Sequence, residues 1–276
     1  MSDSSHNGSF KGKVVVITGS SRGIGKATAV LFCSLGARVV LNGRNSSVLD
    51  SCLAEFKALG YIAEKVCCDI STPDGSKTLV DNTIKYFGSL DILINNAGMS
   101  MRGKIDELDP RVFEKVFSIN LFGAVYPVLY SLPYLKRSEG SVVFVSSVAG
   151  IRGLPSLSAY SSSKMALRAI AESMRFDLKE HNIHTGLIYV GYARNDAGKK
   201  YLDKDGTLKP IEERQGVKAL SQEEIALAIL KNISLRKFIT ILSGLGRLNA
   251  TMQRISPRFV EWILMRNMKK IERMSK

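Results

Sequence analysis

Apolar residues fall along this chain in short, nearly unbroken runs, separated by longer stretches with a helical period. "KVVVITG" (13–19), "ARVVLNG" (37–43), "AEKVCCDI" (63–70), "LDILINNAG" (90–98), "GSVVFVSS" (140–147) and "HTGLIYVG" (184–191) read as strands, with "KFITIL" (237–242) as a seventh. Runs without polar alternation fit strands covered on both faces, the situation inside a parallel sheet. Between them, 25–36, 47–60, 109–136 and 160–181 carry helix patterns, and Asp109 followed by Pro110 supplies a cap and a first-turn proline. The alternation predicts an α/β fold: one domain built on a doubly wound parallel sheet of about seven strands, with helices on both faces.

Three segments depart from that rhythm. Residues 1–11 are polar and serine-rich, the composition of a disordered tail. Residues 192–222 are long, polar and weakly periodic, which suits a lid over a site at a strand end. Residues 251–276 read as a basic amphipathic helix following the main domain of 12–250. There Val260, Leu264, Met268 and Ile271 form an apolar stripe, Arg266, Lys269, Lys270 and Arg273 lie on another side, and Trp262 adds an aromatic. Two readings stay open for it: peripheral contact with an anionic membrane, or packing on its own domain or a partner subunit.

Charge narrows the partners. The net charge is +14, and residues 234–276 hold ten Lys or Arg against two Glu. Such a balance attracts anionic ligands or surfaces, but no nucleic-acid-binding motif accompanies it, so no nucleic acid is expected. Cys33, Cys52, Cys67 and Cys68 form no C-x-x-C pair, and the three histidines have no ligand spacing. Buried reduced thiols, no metal and a cytoplasmic setting are expected. No uninterrupted apolar run reaches the ~18 residues of a spanning helix.

The first strand leads directly into "ITGSSRGIGKA" (17–27), which places Gly19, Ser21, Arg22, Gly23, Ile24 and Gly25 before a helix. Glycine lets backbone approach a ligand closely, and the helix start offers free N–H groups and a positive dipole end to phosphate. In that context a dinucleotide site is expected, so the sheet is Rossmann-like. The end of the second strand selects the dinucleotide. An acid there binds the ribose 2′-hydroxyl of NAD, but "LNGRN" offers Arg44 instead. Arg44 with Arg22 suits a 2′-phosphate, so NADP(H) is the expected cofactor.

Tyr160 and Lys164, four apart in "YSSSK", share one helical face, and Ser147 precedes the tyrosine by thirteen positions. An ammonium beside a phenol favours the phenolate. With "TGSSRGIG" (18–25), "NNAG" (95–98), Asn120, Ser147 and "YSSSK" in this order, the chain resembles the short-chain dehydrogenase/reductase family from about residue 12 to 195. The resemblance implies an NADP(H)-linked oxidoreductase acting on the CH–OH group. It makes Tyr160 the proton donor to a carbonyl oxygen, with Lys164 tuning it and holding the nicotinamide ribose. Ser147 would orient the substrate oxygen and Asn120 hold a relay water. Asp69 and Ile70 would meet the adenine and Asn96, Ala97 and Gly98 line the cofactor, while Asn95 braces the sheet. It also implies a homodimer or homotetramer through the helices of Asn120 and Tyr160.

One departure concerns the loop after the sixth strand. The family often has Pro-Gly and then a threonine that binds the nicotinamide amide, whereas Val190 precedes Gly191 here and Asn195 stands where the threonine is common. Asn195 can hydrogen-bond an amide as well. Met99, Met101, Ile151, Leu154, Leu157 and Tyr192 are either walls of an apolar substrate pocket or ordinary core. "NAGMSMRGKIDEL", "SINLFGAVYP" and "VFVSSVAGIRG" resemble the branch that reduces 3-ketosphingoid bases and also fit hydroxysteroid dehydrogenases. The expected substrate is therefore an apolar, lipid-like ketone or secondary alcohol. The competing reading is a non-catalytic NADP(H)-binding redox sensor or membrane-surface scaffold, which has no need of the serine, tyrosine and lysine geometry.

Overall fold

The computed structural model describes residues 10–194, 196, 198–211 and 219–267. The chain first lays down β1 (Val14–Ile17), α1 (Gly23–Ser34), β2 (Arg38–Gly43), α2 (Ser46–Ala58), β3 (Ala63–Cys67), α3 (Pro73–Phe87) and β4 (Ile92–Asn95). The second half adds α4 (Pro110–Phe117), α5 (Gly123–Ser138), β5 (Ser141–Ser147), α6 (Ser158–Asp177) and β6 (His184–Val190). A small hairpin, β7 (Lys200–Leu202) and β8 (Leu208–Pro210), precedes α7 (Gln222–Ser234) and β9 (Ile239–Ile241). Two further helices follow, α8 (Gly244–Ile255) and α9 (Pro257–Arg266).

The main sheet has seven parallel strands in the order β3-β2-β1-β4-β5-β6-β9. All seven coincide with the apolar runs of the sequence. Their side chains alternate between two cores. Val15 and Ile17 face one layer with Phe32, Leu49, Phe56 and Ile229, whereas Val16 faces the other with Leu79, Val128, Leu135 and Leu167. Burying a leucine or phenylalanine of this kind stabilises by about 1.5–3 kcal/mol, so both faces resist opening. The winding direction reverses between β1 and β4, and a ligand crevice is expected beyond the carboxyl ends of those strands.

Local signals explain the helix ends. Thr72 caps α3 by accepting from the Gly75 amide at 3.1 Å, Pro73 opens the helix, and left-handed Gly88 closes it. A reciprocal Ser221–Glu224 capping box starts α7. The segment Pro110–Ser138 is long and apolar enough to cross a membrane by length and composition. In this fold it turns Ala124, Val128 and Leu135 into the core beneath the sheet. It is also interrupted, since Ser118–Phe122 between α4 and α5 forms a π-helical turn.

Of the four free cysteines, Cys33 and Cys52 are buried, and burial pushes Cys33 up to about 12. Cys67 is exposed, contrary to the expectation of four buried thiols, because it is the last residue of the edge strand β3 and points away from both cores.

Candidate active site

The candidate catalytic residues come from three elements that meet at the carboxyl end of the sheet. Ser147 is the last residue of β5 and caps the turn that follows, its hydroxyl accepting from the Ala149 amide at 3.2 Å. Tyr160 and Lys164 lie one turn apart on α6. The Tyr160 hydroxyl lies close enough to the Ser147 side chain to feel it. Asn120 sits in the π-helical turn, which swings it inward until it is fully buried; π turns of this kind are frequent at functional sites.

Lys164 is only 4% exposed, and its ammonium donates to the Val145 carbonyl on β5 at 2.9 Å. Burial lowers its pKa from 10.5 to about 8, and the charge of Lys199 adds to the effect. Tyr160 remains partly open to the cleft, yet desolvation of its hydroxyl holds its pKa above 10.0, with Ser147 opposing. Desolvation of the phenol thus dominates in this geometry over the lowering by Lys164 that the sequence suggested.

Asn120 is fully committed. Its Oδ1 accepts from the Met99 amide at 2.7 Å, and its Nδ2 donates to the Met99 carbonyl and to Ser163 Oγ, both at 3.0 Å. It thereby clamps the loop after β4 to α6. A Cβ added to Gly98 would lie 3.2 Å from Lys164 Nζ and 3.3 Å from Asn120 Oδ1, so a larger residue would press on both side chains.

The glycine-rich turn lies between β1 and α1. Gly19 and Gly23 are left-handed, and Arg22 is the N-cap residue of α1. Gly25 is packing-limited: a Cβ there would fall 2.4 Å from the Gly19 carbonyl and 2.6 Å from Asn96 Nδ2. Asn96 donates to the Thr18 and Gly19 carbonyls at 3.0 and 3.1 Å. The bracing expected of Asn95 thus belongs to Asn96, while the Asn95 side chain is buried with no hydrogen-bond partner. Ala97 packs against Gly19, and Ser21 reaches across to the end of β2 beside Gly43. Ile24 and Ile70 pack with the two cores, so a ligand would meet their backbone.

At the outer end of the crevice Arg44, just past β2, pairs with Asp69 at 3.7 Å, both half exposed. Asp69 Oδ1 accepts from the Ser71 amide at 3.0 Å and hydroxyl at 2.7 Å, which with Arg44 keeps its pKa low against a desolvation that opposes them. A cavity of about 320 Å³ opens here, lined by Arg44, Asp69, Ser71, Arg111, Lys115 and Ile119 among others. A glycine-lined turn at a helix start and a cation beside a cavity at the second strand's end fit a nicotinamide dinucleotide. Residues 13–206 match the sequence model of the family described as short chain dehydrogenase.

This chain belongs to the short-chain dehydrogenase family.

Two curated relatives illustrate how far the likeness extends. The chain is 33% identical over 237 residues to "Dehydrogenase/reductase SDR family member 7B" of Bos taurus, covering 83% of this chain and 73% of that one. It is 36% identical over 230 residues to "3-ketodihydrosphingosine reductase" of Bos taurus, covering 80% and 68%. Among solved structures, a short chain dehydrogenase/reductase from Burkholderia phymatum in complex with NAD superposes with a TM-score of 0.80 at 23% identity, over 91% of this chain and 95% of that one. At that identity the likeness concerns the fold.

As a short-chain dehydrogenase, the protein brings Asn120, Ser147, Tyr160 and Lys164 together and sets Gly19 to Gly25, Asn96 to Gly98, Arg44 and Asp69 just past the carboxyl ends of β1, β4, β2 and β3. Asn195 lies outside the described residues. Met101 belongs to a small core with Val112, Val116, Ala159 and Leu202 and is not a pocket wall, whereas Met99 packs beside Tyr160. Residues 200–210 form the β7–β8 hairpin, pinned to the loop after β4: the Arg102 amide donates to the Leu202 carbonyl at 2.8 Å, and the Leu202 amide donates to the Ser100 carbonyl at 3.0 Å. The strand propensity of this hairpin was hidden because β8 is exposed throughout and shows no apolar alternation.

Proposed function

We propose that this oxidoreductase reduces an apolar, lipid-like ketone to a secondary alcohol with NADPH, reversibly in principle. The observation that carries it is the close approach of Ser147 and Tyr160 beside a buried Lys164. A phenol held above pKa 10.0 keeps its proton at neutral pH and can give it to a developing alkoxide. Ser147 orients the same oxygen. Lys164 lies next to Gly98 and supplies a cation near the tyrosine. When bound, the nicotinamide supplies or accepts the hydride.

The choice of NADP(H) rests on Arg44 and Arg22, with no acid at the end of β2 to hold a free ribose hydroxyl. Arg44 is only loosely engaged by Asp69 and can turn toward a 2′-phosphate. The apolar substrate is supported by Met99, Ile151 and Leu157 near the catalytic group, and by the relative named for a ketosphingoid substrate.

Peripheral contact with an anionic membrane is supported by α8 and α9. They expose Leu245, Leu248, Ile255, Phe259, Trp262 and Met265 beside Arg247, Arg254, Arg258 and Arg266. Val260 of the expected stripe is turned inward, and Met268, Lys269, Lys270, Ile271 and Arg273 lie outside the described residues. Self-association through α5 and α6 is supported by exposed Phe122, Leu129, Met165 and Phe176 on or beside these helices.

The test is NADPH oxidation over a panel of steroid and long-chain 3-keto lipids, with Tyr160→Phe alongside. Turnover by the wild type and its loss in the variant, with NADPH binding retained, is expected. NADPH binding without turnover of any apolar ketone refutes the reductase reading.

A further inference from the structure

The segment after β6 carries an acid that none of these roles uses. Asp196 folds back so that its carboxylate lies against Gly23; a Cβ built on that glycine would coincide with Oδ2. Its other carboxylate oxygen accepts a hydrogen bond from Gln222 Nε2, on the first residue of α7. The Asp196 carbonyl accepts from the Lys199 amide at 3.1 Å, closing a turn. The carboxylate is therefore held from two directions.

Its seat is specific. Of the three glycines in the turn, Gly19 faces Ala97 and Gly25 faces the Gly19 carbonyl and Asn96, so protein covers both. At Gly23 the nearest atoms are those of this carboxylate. The first turn of α1 has no acid of its own. Its free amides and positive dipole end, with Arg22 at the cap, favour an anion there. A dinucleotide pyrophosphate lying on the turn needs the same face of Gly23 and the same field. Carboxylate and pyrophosphate exclude each other.

We propose that Asp196 is an internal competitor for the pyrophosphate on Gly23 and so sets the affinity of the site for its dinucleotide, an inference that rests on the dinucleotide reading above. Binding exchanges one anion for another at Gly23. Lys199, whose amide closes the turn on the Asp196 carbonyl, is drawn electrostatically to Asp196 and repelled by Arg22, and its charge also reaches Lys164.

Isothermal titration of NADPH and NADH into the wild type, Asp196→Asn, Asp196→Ala and Gln222→Ala tests this. Removing the carboxylate is expected to tighten both dinucleotides about tenfold, equivalent to about 1.4 kcal/mol, because both share the pyrophosphate. Gln222→Ala, which frees the carboxylate without deleting it, is expected to act in the same direction and less. Unchanged or weaker binding in variants with wild-type circular dichroism overturns the proposal, as does tightening confined to NADPH. If the wild type and all three variants bind neither dinucleotide, the dinucleotide reading falls and this proposal with it.

Discussion

Replacing Lys164 with methionine separates what the side chain does for chemistry from what it does to stability. The wild-type ammonium is carried into the fold at a cost. A pKa that falls from 10.5 to about 8 means about 3 kcal/mol against the charged form, at about 1.4 kcal/mol per pH unit. Methionine keeps the length and removes the charge. It also removes the 2.9 Å hydrogen bond to the Val145 carbonyl, a charge-assisted bond of about 1.5–3 kcal/mol. At pH 7 the two effects nearly cancel, so the variant should be close to wild type in stability while losing activity.

The pH dependence is less forgiving. The folded pKa lies below the unfolded one, so between about 8 and 10.5 the unfolded chain binds more protons and wild-type stability rises with pH. Below 8 the penalty is present in full. Between pH 7 and 9.5 the wild type should gain about 2 kcal/mol relative to Lys164→Met. Urea unfolding of both proteins at the two pH values, without added dinucleotide, measures this, and the other titrating groups cancel in the difference. A difference that stays flat from pH 7 to 9.5 would refute the claim that Lys164 is buried with its charge.

Two further outcomes follow from residues at the ends of the molecule. Arg44→Glu should weaken NADPH by tenfold or more while changing NADH by much less, since only NADPH carries the 2′-phosphate; equal losses in a titration would undo the cofactor assignment. Trp262→Ala combined with Phe259→Ala should reduce co-sedimentation with vesicles containing phosphatidylserine, because these stacked rings, 5.9 Å apart, are exposed beside Arg258 and Arg266. Undiminished sedimentation of the double variant would remove α9 from the membrane reading.

The seven strands were legible because each is buried on both faces, which forces an apolar run that few other elements produce. Ser147, Tyr160, Lys164 and Asn120 were singled out by spacing and family likeness, and the fold places them near one another, Ser147 at the end of β5, Tyr160 and Lys164 on α6 and Asn120 in the π-helical turn. The reading named neither α3 nor α7, although Thr72-Pro73 and the Ser221–Glu224 box announce both. What stayed hidden depends on long-range closeness. Nothing local tells Asn96 from Asn95, yet register against Thr18 and Gly19 gives one its partners and leaves the other without. Asp196 on Gly23 joins positions 173 residues apart in the chain, and no periodicity encodes that.

The excursion between β6 and α7 is tied at its base. Ala193 bridges Leu220, with the Arg194 amide donating to the Leu220 carbonyl and the Leu220 amide to the Tyr192 carbonyl, both at 2.9 Å. Lengthening a loop that is closed at its neck costs only the slow logarithm of its size. What lies between is not all free to change, because Leu202 packs in the small core with Met101 and Ala159 and the hairpin holds the loop after β4. Evolution can therefore lengthen or shorten the chain beside the hairpin while the floor of the sheet stays in register. For an engineer the same knot marks a cassette boundary, and a donor excursion grafted at 193 and 220 has to bring its own residue for the place of Leu202.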